Sequence, residues 1–178
     1  THRNEFLFSN TSSMKVLKFG GTSVGTADHI NKVISILVER YDNTPIIAVV
    51  SAIGGITDKL LLAGELAINK DQGYKSVFEE IRNIHIGIVE ELIKANTGPI
   101  ITHIETKLEH LDNLLEGLFL LNELTPKASD KLVSFGELLS SYIIAETLKS
   151  RNINAIRKNS QALISTNSNH GNAEVNHT

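Results

Sequence analysis

The apolar positions of this chain change period several times, and each change marks an element. Lys15-Val16-Leu17-Lys18-Phe19 is a short, largely apolar run that breaks into Gly20-Gly21, the pattern of a strand entering a tight loop. From Ala27 to Tyr41 the apolar residues fall at Ile30, Val33, Ile34, Leu37 and Val38, which is helical spacing. Thr44-Pro45 then introduces Ile46-Ile47-Ala48-Val49-Val50, a continuous β-branched run that suits a parallel strand buried on both faces. A second glycine-bearing loop, Ser51-Ala52-Ile53-Gly54-Gly55-Ile56-Thr57-Asp58, follows it. The spacing predicts a helix from Asp58 to Asn69, carrying Leu60, Leu61, Leu62, Leu66 and Ile68 and broken at Asp71-Gln72-Gly73.

Two longer amphipathic segments come next. One carries Val77, Ile81, Ile84, Ile88 and Leu92, the other Ile104, Leu108, Leu111, Leu115 and Leu118, with Asn96-Thr97-Gly98-Pro99 between them. No strand pattern separates the two, so the region from about 74 to 124 reads as a helical insertion, an antiparallel pair packed beside a sheet. Thr125-Pro126 opens a further helix through Tyr142, and Asn152-Ile153-Asn154-Ala155-Ile156 is expected to be a short strand. Two strand–loop–helix units in succession place the chain in the α/β class with an open, mainly parallel sheet.

At 178 residues, 41% hydrophobic and 21% charged, the chain is long enough for one domain with a substantial core. A formal net charge of −3 gives no broad attraction to nucleic acid or to acidic membranes. Cysteine is absent, which removes disulfides and thiolate metal sites and fits a cytoplasmic location. No apolar run approaches the roughly 20 residues that span a bilayer. Residues 1–13 are polar and irregular, and Met14 is the one methionine; a disordered extension before a natural start at Met14 is the expectation. The seven histidines are dispersed without metal-ligand spacing, so no protein-built metal site is expected.

The chemistry concentrates at the glycines. Gly20 and Gly21 lack a β-carbon, so their N–H groups can approach an anion closely. Thr22 and Ser23 add hydroxyls, Lys18 adds a full positive charge, and the helix from Ala27 would bring the positive end of its dipole. The order of lysine and glycines is neither a Walker A loop nor the Gly-x-Gly-x-x-Gly dinucleotide fingerprint. A plain strand-to-helix turn is equally compatible with the glycines alone. Ser51 and Thr57 sit at the carboxyl end of the second strand, where ligands of open parallel sheets collect. They can equally be read as a turn residue and a helix cap. Gly136 lies inside a predicted helix, where glycine costs about 1 kcal/mol against alanine, so close approach of a ligand or another backbone is expected there. Glu137 beside it interrupts an apolar neighbourhood of Val133, Phe135, Leu138 and Leu139.

Lys18-Phe19-Gly20-Gly21-Thr22-Ser23-Val24, followed far downstream by Phe135-Gly136-Glu137-Leu138, resembles the two signatures of aspartate kinases in the amino acid kinase family. The likeness runs over nearly all of Met14 to Asn176, the N-terminal part of that family's kinase domain. It implies an α/β/α sandwich and transfer of the ATP γ-phosphoryl group to the β-carboxylate of L-aspartate, giving 4-phospho-L-aspartate. It assigns Lys18 to the charge on the transferring phosphoryl group and Gly20, Gly21, Thr22 and Ser23 to the phosphates. Ser51, Thr57 and Glu137 go to the aspartate, Glu137 to its α-ammonium, and magnesium is expected mainly on the ATP phosphates. It further implies an incomplete kinase, a homo-oligomeric full-length parent, and similarity to the start of bifunctional aspartokinase/homoserine dehydrogenases. Thr166-Asn167 and Gly171-Asn172-Ala173 resemble the family's Thr-Asp and Gly-x-Ala segment. Asn159, Gln161, Asn167 and Asn176 stand neutral where acids and arginine are common, so ion pairs there are expected to be missing. A kinase of glutamate, acetylglutamate or UMP, or a non-catalytic anion-binding or interaction fragment, are the alternatives.

Overall fold

In the computed structural model, which describes residues 14–176, strand β1 (Lys15–Phe19) pairs in parallel with β2 (Ile46–Val50), Lys15 opposite Ile46 and Phe19 opposite Val50. Between them runs helix α1 (Ala27–Arg40), preceded by a 3-10 turn, Gly21–Val24. After β2 come α2 (Ile56–Ile68), α3 (Tyr74–Leu92), α4 (Gly98–Leu121) and α5 (Pro126–Ser150). The molecule is α/β, with a small parallel sheet and mostly helices.

Strand β1 alternates, as pleating requires, whereas β2 is covered only at its two ends, with Ala48 exposed between Ile46 and Val50. Leu17, Phe19, Ile46 and Val50 pack against the helical core, whereas Val16, Ile47 and Val49 are exposed. The sequence expectation of a β2 buried on both faces is therefore corrected: among the described residues one face is covered. Lys18, opposite Val49, is exposed as well.

The helices hold most of the core. In α4 the five positions read from the sequence, Ile104, Leu108, Leu111, Leu115 and Leu118, are all buried. In α2 the buried face is Ile56, Leu60, Ala63, Gly64 and Ala67, while Leu61 and Leu62 are exposed. A run of consecutive leucines has no helical phase, and the small residues decide the face because α2 is crossed closely by α5. A Cβ built on Gly64 would lie 2.6 Å from Leu132 Cδ2. Helix ends are satisfied locally. Thr26 and Thr125 side chains accept from the His29 and Ala128 amides at the starts of α1 and α5, and Lys70 donates to the last carbonyls of α4, Phe119 O and Leu120 O.

The predicted strand at 152–156 is absent. Asn152 adopts a left-handed conformation (φ 59°), the Ile153 amide bonds to Leu148 O at the end of α5, and the chain leaves the helix extended. Ile153, Ala155 and Arg157 are half-buried and Asn154, Ile156 and Lys158 exposed, so the two-residue alternation is real. Among the described residues no neighbouring strand pairs with it. Farther on, Thr166 and Val175 form an isolated antiparallel bridge. Asn167 Oδ1 accepts from the amides of Asn169 (3.1 Å) and Glu174 (3.2 Å), a neutral side chain holding the turn. Asp130 Oδ2 accepts from the Gly171 amide and contacts His170 Nδ1, both at 3.1 Å.

His85 is fully buried on α3. Its Nδ1–H donates to Ile81 O at 2.7 Å, and Nε2 has no partner among the described residues. Burial holds its pKa below the ordinary 6.5, so the folded state favours neutral imidazole while the unfolded chain takes up the proton. Stability is then fully present above pH 6.5 and lost as pH falls below it. Urea denaturation at pH 7.5 and 5.5 is expected to show a lower midpoint at the acidic value, with a smaller drop in His85→Leu. An equal drop in both proteins would exclude this origin.

Candidate functional site

The parallel register brings the two glycine-bearing loops to one end of the sheet. The Ser51 amide donates to Phe19 O at 3.1 Å, extending the pairing one step beyond β2. There the main chains touch. A Cβ on Gly54 would lie 3.2 Å from Gly25 Cα and 3.3 Å from Gly21 O, and one on Gly21 would lie 3.3 Å from Ala52 O. Each approach is tighter than side chains ordinarily permit, and the opposing atoms are backbone. Gly20 has nothing within 4 Å of its Cβ position and is exposed together with Thr22 and Ser23. The Ser23 amide closes the turn onto Gly20 O at 2.9 Å.

Helix α5 completes the cluster. Gly136 is buried, and a Cβ there would lie 2.7 Å from Ala52 Cβ, which answers the question its sequence position raises: another element approaches. Glu137, the next residue, is exposed and accepts the Ala52 N–H on Oε1 at 3.3 Å. Lys18 stands opposite Val49, three residues before Ala52. Gly20, Gly21, Thr22, Ser23, Ser51 and Glu137 thus belong to segments that meet at the carboxyl ends of the strands, while Lys18 stands on the uncovered face of β1 one residue before its end.

Two local expectations change. The first loop does not run directly into α1: the 3-10 turn intervenes, and Thr26 caps α1 itself. Thr57 is not the cap of the helix from Asp58, because α2 begins at Ile56 with Gly55 (φ 79°) at its N-cap and no side-chain cap. The helix end left open beside the loops is therefore that of α2, with Thr57 in its first turn. The sequence pointed the other way, since Thr57 stands where a cap would for a helix from Asp58, and only the structure moves the start back to Ile56. Ala52 was missed for a different reason: it acts through its amide and its smallness, neither of which a residue letter announces.

A comparison of the whole sequence with known families matches residues 13–175 to the amino acid kinase family. The chain belongs to the amino acid kinase family. Among proteins of the family, Aspartokinase 1, chloroplastic, of Arabidopsis thaliana is 41% identical over 143 residues, 79% of this chain and 24% of that protein. Lysine-sensitive aspartokinase 3 of Escherichia coli is 34% identical over 163 residues, 92% of this chain and 34% of that protein. The crystal structure of E. coli aspartokinase III in complex with aspartate and ADP superposes with a TM-score of 0.82 at 33% identity, covering 92% of this chain and 35% of that one. This amino acid kinase chain accordingly spans about a quarter to a third of the length of these relatives. Among its described residues no helix is long and apolar enough to cross a membrane.

The glycine contacts make a paired prediction. Gly54→Ala is expected to destabilise the chain by about 1–3 kcal/mol through overpacking, while Gly20→Ala stays within about 0.5 kcal/mol, as surface changes do. Urea titration of both variants checks this, and equal losses would contradict the loop contact.

Proposed function

We propose that this chain forms the aspartate-handling part of an aspartate kinase, in which the γ-phosphoryl group of ATP passes to the β-carboxylate of L-aspartate to give 4-phospho-L-aspartate. The observation that carries the reading is the tie between Glu137 and the Ala52 amide, which puts an acid from α5 beside the loops that follow β1 and β2. The likeness to aspartokinases, one of them solved with aspartate and ADP, supports the same substrates.

The acceptor is an ionised carboxylate, so no general base is required. The difficulty is electrostatic, because two anions must meet, and it is met by positioning and by fixed positive groups. Lys18 counters the charge on the transferring phosphoryl group. The backbone at Gly20 and Gly21, with the Thr22 and Ser23 hydroxyls, cradles the phosphates. Glu137 holds the α-ammonium of aspartate, and Ser51 and Thr57 hydrogen-bond its carboxylates beside the start of α2, which has no side-chain cap and whose dipole favours negative charge. A β-carboxylate oxygen forms the new bond to the γ-phosphorus as the bond to the β,γ-bridging oxygen breaks, and ADP leaves with that electron pair. Magnesium, a hard ion that keeps several waters, would be held mainly by the ATP phosphates and would supply neutralising charge there. The glycine cradle suits this division of labour, since it offers N–H donors and leaves the metal to the nucleotide.

A hydroxamate assay with ATP, magnesium and L-aspartate tests the reading, run on this chain and on a chimera continued with the remainder of the E. coli relative. The chimera is expected to be active and the chain alone inactive. In the chimera Lys18→Ala is expected to lower kcat by roughly 10²–10³-fold, as for loss of one transition-state contact. Glu137→Ala is expected to raise KM for aspartate by about 10–100-fold, as for loss of a charge-assisted bond. A chimera that phosphorylates glutamate but not aspartate would remove the substrate assignment, and full activity in either variant would remove that residue's role.

A further inference from the structure

We propose that Gly136 is a positioning residue for the second loop: by letting α5 touch Ala52 it sets the Ala52 N–H on one oxygen of Glu137 and leaves the other for a ligand ammonium. The inference rests on the reading of Glu137 given above and names the device that aims it.

Glycine in the middle of a 25-residue helix costs about 1 kcal/mol against alanine, so the position is held by contact and not by propensity. The contact is specific. A Cβ at 136 would lie 2.7 Å from Ala52 Cβ, with Ile56 Cγ2 and Leu60 Cδ1 at 3.5 and 3.6 Å behind it. Ala52 has little room to retreat. It is buried, and the preceding amide, Ser51 N–H, is tied to Phe19 O. Bringing the clash out to ordinary contact requires α5 and the loop to part by roughly 0.7 Å. The Ala52 N–H to Glu137 bond, already at 3.3 Å, does not survive such a displacement, because hydrogen bonds weaken steeply beyond normal length. A carboxylate can accept on both oxygens, so holding the loop with Oε1 fixes the direction in which the charge is offered.

Gly64 supplies the control. It too lies in a helix at the α2–α5 contact, and a Cβ there would lie 2.6 Å from Leu132 Cδ2. That atom is the tip of a flexible side chain, which can rotate away without moving either loop.

The test follows the amide proton of residue 52 by NMR in the ¹⁵N-labelled chain while the pH is lowered through protonation of the carboxylate. In the parent chain and in Gly64→Ala the amide shift is expected to titrate; in Glu137→Gln and Gly136→Ala it is expected to stay flat. The swap Ala52→Gly with Gly136→Ala moves the methyl group from one side of the contact to the other and is expected to restore the titration. If Gly136→Ala alone fails to fold, that double variant still decides. A full titration in folded Gly136→Ala, or none in the folded double variant, overturns the proposal. Addition of L-aspartate to the same samples adds a second arm, with binding expected to be at least tenfold weaker in Gly136→Ala than in Gly64→Ala. Equal binding in these two overturns the positioning role. No binding by the parent chain counts against the aspartate reading, while the amide titration continues to decide the link.

Discussion

Where Gly54 meets Gly25 and Gly21, two main chains pass so closely that a β-carbon would have to push one of them aside by a few tenths of an ångström, and the geometry of the candidate site depends on that contact. A parallel pair of strands can only place its following loops near one another; it does not fix their separation. Backbone-to-backbone contact does fix it, because the opposing atoms cannot rotate away as a side chain can. A loop without β-carbons also lets a ligand approach its N–H groups closely. Rigidity and donor density therefore come from one choice of residue.

The loops are held in turn by the α2–α5 contact. Each helix carries a glycine on the shared face: Gly64 receives Leu132 from α5, and Gly136 receives Ala52, Ile56 and Leu60 from the second loop and α2. Close approach along this face brings Glu137 to the Ala52 amide. The apolar row on α5, with Leu132, Phe135, Leu139 and Ile143 all buried, supplies the burial that keeps the helix there; each such side chain contributes roughly 1.5–3 kcal/mol when removed from water. One end of α5 is fixed by the Thr125 cap and the Asp130 contacts to the 170–171 turn. An acid near the middle of such a helix is aimed by packing on both sides of it.

How much of this was legible in the sequence depended on what carried each feature. Five α4 positions at unbroken helical spacing gave the buried face outright. The leucine run of α2 gave the helix but not its face, because three adjacent leucines point in three directions and Ala63, Gly64 and Ala67 decide which side is inward. The alternation at 153–158 was real, but a strand also needs a neighbour, and pairing is a property of the rest of the structure. Glu137 could be found because Gly136 is anomalous in a helix. The uncapped end of α2 could not be found, because Thr57 offers a cap to a helix from Asp58 and only the fold starts the helix at Ile56. The Ala52 amide could not, because every non-proline residue has one and only the fold decides which of them matters.

The charges explain why such an arrangement suits a reaction between two anions. Lys18 is exposed and the loop amides carry only partial charge, so neither has the burial cost that a charge deep in the core would impose. Their field acts most strongly when bound ligands displace water and lower the local dielectric. Glu137 would oppose that field if it faced the phosphates. On the proposed reading, the oxygen not held by the Ala52 amide would offer its charge to a ligand ammonium, and the amides of the first loop would be left for phosphate. Separating the two signs of charge on one small sheet end requires the loops to be close but not interchangeable, and in the proposed arrangement the Gly136–Ala52 contact would provide that asymmetry.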